Sequence, residues 1–453
     1  MPTSTALCSS SVSVSGPLTS YFKVIMENAE GTQLAIKFYP PAYDIRVEKA
    51  PIPSIEHPDD AIVRIQLAGL CGSDLHVYRG HEGVDKEMIC GHEFIGTIIA
   101  MGSSFNPEAQ GRPHLYSTLR IGDQVVAPFT VSCGECHFCR IGFTSRCVHS
   151  TLFGIPKLPG GQAQYVRVPK AGGTLFKVAD IRSGSSTIHL EDSSLLLLAD
   201  ILPTGVFAAL QALQHPKLAS ILSDTPYPRN GYVPAGLGFD SSSTLLQEDR
   251  SVTIAVVGLG PVGMCAMISL LDMQEDLSST RGVVFRIVAV DTNGPRREKM
   301  IAMVEKIYGG QQPENVVVID PEAGKRIIND WTDSLGCNAV LEVVGNNGAL
   351  KLAYELVRPF GVISTVGVHQ SPPLPFTGRE MYDKNVSFDY GRCPVRAMLP
   401  IAAKLLLKRQ DVFGGVGTET SLIEQVVGFD EAEERYRLFD QGLCGKTLFD
   451  PWR

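Results

Sequence analysis

The stretch VTIAVVGLGPVG, residues 252–263, decides how this chain folds. A run of β-favouring residues leads into Gly258, Gly260 and Gly263, and the following PVGMCAMISLLDM has the small-residue pattern of a helix. In such a strand, turn and helix, the first glycine allows a tight turn and the second lets backbone approach a pyrophosphate. The third lets the helix pack close, and Pro261 and Val262 open that helix at its anion-binding end. Asp291 closes the next β-run, FRIVAVD, where an acid binds the hydroxyls of an adenosine ribose. A lone GxGxxG says little; a strand before, a helix after and an acid at a strand end make it a dinucleotide site. Asp291 comes 28 residues after Gly263, where about 20 is usual, and the polar QEDLSSTRG accounts for the excess as a lengthened loop. An acid at this place repels a 2′-phosphate, which favours NAD; Arg296 and Arg297 in DTNGPRREK leave NADP open, their plain role being a solvated helix face.

Working outward, strand and helix alternate from residue 252 to GVISTVGV at 361–368, the signature of a parallel sheet covered by helices. The Pro-rich SPPLPF then ends the pattern, and the tail from about residue 375 looks mixed. Upstream, residues 34–70 alternate short β-prone runs with Pro and Asp, and strand signals recur at 94–101, 121–129 and 163–169. These predict an antiparallel, barrel-like region before the parallel sheet. Segments 103–120, 180–192, 214–250 and 274–282 read as loop insertions. The expected division is a loose tail over 1–31, a β-rich domain over 32–200, a cofactor domain over 201–370 and a C-terminal segment, 371–453, that returns to the first domain.

At 453 residues the chain is long enough for two domains. A formal net charge of −8 without a local basic run argues against nucleic acid as a partner. Residues 251–271 carry no charge and are long enough to span a bilayer, but their glycines and proline fit a buried strand, turn and helix, so no membrane partner is expected. The Ser- and Thr-rich start lacks a signal-like apolar core, and the 11 cysteines are clustered rather than spread as a disulfide frame; both point to the cytoplasm.

That clustering is chemical. CGECHFCRIGFTSRC places Cys133, Cys136, Cys139 and Cys147 within one lobe, residues 130–150, where four thiolates can surround a tetrahedral zinc. Four protein ligands leave no open position, so this zinc is structural; an iron–sulfur cluster is the other metal such spacing suits. His137, inside the lobe, reads as a surface histidine. A second constellation lies in CGSDLHVYRGHEG and CGHEFIG: Cys71, Ser73, Asp74 and His76, then His92 and Glu93. A thiolate and an imidazole can ligate zinc but fall short of the three protein ligands of a catalytic site. Asp200, in LLLLADILPTG, is a charge directly after apolar residues; on the residues alone it is equally a helix cap or a ligand.

These motifs together resemble the zinc-containing medium-chain alcohol dehydrogenases. The resemblance runs from about residue 34 to the C-terminus and rests on Gly91-His92-Glu93-x2-Gly96-x5-Gly102, the four-cysteine lobe, GGQAQYVRVP and GLGPVG in that order. It implies an α/β protein, with a GroES-like β-rich catalytic domain and a doubly wound parallel-sheet (Rossmann) cofactor domain. It further implies two zincs per chain, the catalytic one on Cys71 and His92, with Glu93 near the metal and Asp74 orienting His92. Ser73 and His76 resemble the family's proton relay, and Thr204-Gly205 the pair that approaches the cofactor. Most such enzymes take a second cysteine as third ligand, yet no cysteine lies between Cys147 and Cys265. Asp200 stands there instead, which is similar to the glutathione-independent formaldehyde dehydrogenase branch, as is NVSFDYGRCPVRAMLP; Glu93 is the competing third ligand. The implied activity is hydride transfer between an alcohol and its aldehyde or ketone and NAD(P), on a small-molecule substrate, in a homo-oligomer (dimer or tetramer). The alternatives are an aldehyde dismutase with tightly held NAD and an inactive zinc-stabilised binding protein.

Overall fold

β1 (Thr32–Tyr39), β2 (Asp44–Pro51), β3 (Ala61–Gly69), β4 (Met88–Ile89), β5 (Phe94–Met101), β6 (Gln124–Ala127), β7 (Tyr165–Val168) and β8 (Phe176–Lys177) form the β-rich part of the chain. The computed structural model describes residues 31–183, 190–223, 247–370 and 372–453. β2, β1 and β4 make a small antiparallel sheet. β3 is the hub of the larger sheet: β5 runs antiparallel along one edge, and β7 pairs with its first residues, Ala61 opposite Val168. The expected tail, and parts of the insertions 180–192 and 214–250, lie outside the described residues.

β9 (Ser251–Val257), β10 (Val284–Val290), β11 (Val316–Ile319), β12 (Cys337–Glu342), β13 (Val357–Thr365) and β14 (Ser387–Tyr390) form one parallel sheet in the order β11-β10-β9-β12-β13-β14. β9 is buried from Val252 onward because helices cover both faces, which is why its sequence is a continuous apolar run rather than an alternation. The strand order departs from β9 in both directions, so a crevice opens beyond the carboxyl ends of β9 and β12, the usual ligand position in such sheets. The uncharged stretch at 251–271 is thus strand, turn and helix, and among the described residues no single helix is long and apolar enough to cross a membrane.

Four expectations need correction. QEDLSSTRG is not loop: the helix Pro261–Arg281 continues through it to a left-handed Gly282 (φ +64), because no glycine or proline interrupts the polar run. The parallel sheet does not end at the Pro-rich segment, since β14 adds a further strand beside β13, with Val362 opposite Ser387. The return to the β-rich sheet comes later, through β15 (Ile423–Gly428) and β16 (Lys446–Asp450), where Leu448 pairs with Gly69. The insertion at 214–250 also begins as structure, a helix Pro216–Leu222 capped by the His215 ring.

The helix Ile201–Leu213 ties the two parts together. It packs against Pro261–Arg281 so closely that a Cβ at Gly205 would lie 2.5 Å from the Ala266 backbone nitrogen. The preceding Asp192–Ala199 segment meets it at 49°, and Asp200 sits at that break.

Candidate active site

β3 ends at Gly69, and the chain then turns through Cys71 into the short helix Asp74–Tyr78. Asp74 closes the turn by accepting the Cys71 N–H at Oδ2 (2.9 Å), while its Oδ1 lies 3.1 Å from His92 Nδ1. That contact holds a proton on Nδ1, so that loss of the other proton would leave Nε2 as a metal donor. Asp200 arrives from the helix break. It stands where a cap would, yet its side chain caps nothing: Oδ1 accepts from the Thr204 hydroxyl (2.9 Å). Oδ2 lies 3.4 Å from both Cys71 Sγ and His92 Nε2. Tetrahedral zinc with ordinary bond lengths sets its oxygen, nitrogen and sulfur ligands about 3.3–3.5 Å apart, so these atoms already have the spacing of a ligand set. Glu93 joins them: one donor atom from each of Cys71, His92, Glu93 and Asp200 lies within 4.8 Å of the others.

The electrostatics of this pocket call for a cation. Burial opposes a charged His92, but Asp74 and then Asp200 outweigh it and push its pKa well above the ordinary value. Asp200 is held low despite burial, chiefly by His92. Burial, then Glu93 and Asp200, raise the Cys71 thiol. A proton on His92 answers the surplus of negative charge here; a divalent ion answers it better, taking two charges from a thiolate and a carboxylate. Glu93 has its own partner, Lys446, which pairs with Oε2 and also donates to the Leu70 carbonyl (3.1 Å); both side chains are 1% exposed. Glu93 Oε1 is buried without a partner among the described residues. Sequence reasoning missed Lys446, which has no signal in the sequence beyond a basic residue opening the short strand KTLFD.

The lobe brings its four cysteines together as expected. Sγ separations of 3.5 Å (Cys133–Cys147), 3.9 Å (Cys136–Cys147) and 4.0 Å (Cys133–Cys139) bracket the roughly 3.8 Å of a tetrahedral four-thiolate zinc. The Cys133 thiol accepts backbone N–H groups from Glu135 and Cys136, and Cys147 from Cys133 and His149, which suits thiolates. His137 is exposed and outside this set.

In the crevice, Gly258 has φ +99, and a Cβ at Gly263 would lie 2.0 Å from the Gly258 carbonyl oxygen, so the turn admits only glycine at both. Pro261 opens the helix after Gly260, leaving the turn open, and a Cβ at Gly260 would meet nothing within 4 Å. Asp291 accepts the Leu259 N–H at Oδ2 (2.6 Å) and the Asn293 N–H at Oδ1 (2.8 Å). Arg296 approaches it only to 3.9 Å, and Arg297 donates to its carbonyl (2.8 Å). Ser73 Oγ is 3.1 Å from His92 Nε2 and 3.4 Å from Cys71 Sγ. His76 follows within the same helical turn, its Nδ1 buried and unpartnered among the described residues.

Known proteins resemble this chain along most of its length. A family model described as the alcohol dehydrogenase GroES-like domain matches residues 57–180. The zinc-type alcohol dehydrogenase B of Aspergillus flavus is 34% identical, over 95% of this chain and 83% of that one. Formaldehyde dismutase of Pseudomonas putida is 27% identical, over 90% of this chain and 95% of that one. The solved alcohol dehydrogenase TADH from Thermus sp. ATN1 superposes with a TM-score of 0.67 at 26% identity, covering 92% of this chain and 99% of that one. The chain belongs to the zinc-containing medium-chain alcohol dehydrogenases and is an oxidoreductase. Within that family its likeness extends to the branch of formaldehyde dismutase and the glutathione-independent formaldehyde dehydrogenases.

Proposed function

We propose that this protein transfers a hydride between an alcohol and its aldehyde or ketone and NAD, with Cys71, His92 and Asp200 holding a catalytic zinc and the four-cysteine lobe a structural one. The observation that carries the reading is the Cys71–His92–Asp200 set at ligand spacing, with Cys71 and Asp200 buried, in a chain that also has the dinucleotide turn. Zinc held there supplies Lewis acidity toward the substrate oxygen, and the nicotinamide supplies the hydride acceptor.

The chain's own residues do the rest. Asp74 fixes the His92 tautomer, and Thr204 fixes the Asp200 carboxylate by donating to its other oxygen. Ser73 sets a hydroxyl beside the ligand atoms, where it can take the alcohol proton. His76, half-buried, passes that proton toward solvent; burial lowers its pKa and keeps the ring a base. Asp291 offers a carboxylate to ribose hydroxyls and repels a 2′-phosphate, which supports NAD over NADP. The described cysteines are not paired in disulfides, which supports a cytoplasmic setting, and Phe143 and Val148, 59% and 66% exposed on the lobe, support a homo-oligomer.

The test is absorbance at 340 nm during incubation with a panel of primary and secondary alcohols and NAD, then NADP. NADH formation with at least one alcohol is expected; no NADH or NADPH from any alcohol, and no oxidation of either by aldehydes, refutes the reading. The likeness to formaldehyde dismutase favours a second reading, dismutation on tightly held NAD. Aldehyde turnover that needs no added NAD would select it.

A further inference from the structure

Asp291 at the end of β10 marks the adenosine side of the crevice and the glycine turn after β9 the pyrophosphate. The nicotinamide half of a dinucleotide therefore falls over the ends of β12, β13 and β14. An unexplained polar cluster lies there. Glu342, the last residue of β12, is 0% exposed, and its carboxylate is fully engaged. Oε1 accepts the N–H groups of Val344 (3.0 Å) and Gly345 (2.8 Å), and Oε2 meets the Thr365 hydroxyl (2.6 Å) and His369 Nε2 (2.8 Å). Burial alone would raise its pKa, but the hydrogen bonds from His369 and Thr365 outweigh burial and hold the carboxyl below its ordinary value.

An ionised carboxylate only accepts, so the shared proton belongs to His369 Nε2, which in a singly protonated ring leaves Nδ1 as an acceptor. The His369 side chain is 9% exposed, and that Nδ1 is buried with no partner among the described residues. Its ring stands edge-on to Tyr390, 5.5 Å away at the end of β14. The next residue, Gln370, donates to Glu82 in the loop that follows the His76 helix, so His369 sits where the crevice meets the catalytic side. A buried acceptor without a donor is costly unless a ligand supplies one.

The geometry points to His369 as a cofactor-binding residue whose Nδ1 accepts an N–H of the nicotinamide carboxamide, with Glu342 and Thr365 fixing its tautomer and orientation. This rests on the dehydrogenase reading above. Holding the amide sets the rotation of the nicotinamide ring, and so which face the substrate meets.

The test is isothermal titration calorimetry of the full chain and of His369→Ala with three ligands: NADH, its reduced 3-acetylpyridine analogue and ADP-ribose. The analogue carries a methyl ketone and has no N–H to donate; ADP-ribose lacks the ring altogether. His369→Ala is expected to weaken NADH about 3- to 10-fold and to leave the other two at wild-type affinity. Unchanged NADH affinity overturns the proposal, as does an equal loss for all three ligands, which would mark general damage. Wild-type protein that binds neither NADH nor ADP-ribose overturns the dehydrogenase reading itself and this proposal with it.

Discussion

Replacing Asp200 by Ala removes the oxygen that lies 3.4 Å from both Cys71 Sγ and His92 Nε2 and nothing else from the ligand set. A four-ligand zinc site is worth about 10–16 kcal/mol, so one ligand carries roughly 2.5–4 kcal/mol, or about 10² to 10³ in zinc affinity. The cost to the fold is smaller. Thr204 loses one hydrogen-bond acceptor, about 1 kcal/mol, and Glu93 loses a like-charged neighbour that raises its pKa. After dialysis against a mild chelator the variant is therefore expected to keep the lobe zinc, lose the catalytic one and lose turnover, while unfolding close to the wild-type temperature. Elemental analysis, an alcohol oxidation assay and a thermal melt on the same sample read all three. A variant that retains both zincs and wild-type turnover refutes the reasoning and moves the third-ligand role to Glu93.

Lys446→Met strands the Glu93 carboxylate in a fully buried place and should cost about 3–5 kcal/mol in denaturant unfolding, most of it recovered when Glu93→Gln is added; an unchanged midpoint contradicts the pairing. Burial holds His76 below the ordinary histidine pKa even though Glu82 raises it, so its neutral form persists to lower pH than a free imidazole. The acid limb of alcohol oxidation that belongs to it should thus lie below about pH 6.5, and His76→Asn should remove that limb and slow oxidation roughly 10²-fold; an unaltered limb rejects the relay. Asp291→Ala gives up the ribose acceptor and the repulsion of a 2′-phosphate, so NAD should bind about 10-fold worse while NADP improves relative to it; an unchanged NAD to NADP ratio of KM values contradicts that role.

What was legible in the sequence was local. The glycine turn and Asp291 announce themselves because strand, turn and helix follow within a few residues, and the four lobe cysteines because their ligand set closes within 15 residues. Asp200 became readable through an absence, the missing cysteine, and only the structure shows that its carboxylate does not cap the helix it precedes. Lys446 was not legible: 353 residues separate it from Glu93, and the pairing of β16 with β3 that joins them has no local signature. His369 was hidden too, since its partner Glu342 ends the neighbouring strand β12, 27 residues earlier in the chain. The polar run after Met273 was misread because polarity alone does not separate a loop from the exposed face of a long helix.

A catalytic zinc distinct from the structural one shows itself when zinc is counted in the purified chain while its alcohol-dependent reduction of NAD is measured. Two zincs per chain are expected, with turnover falling in step as the more labile one is withdrawn. One zinc per chain, held by the intact cysteine lobe, in a fully folded protein would contradict that expectation.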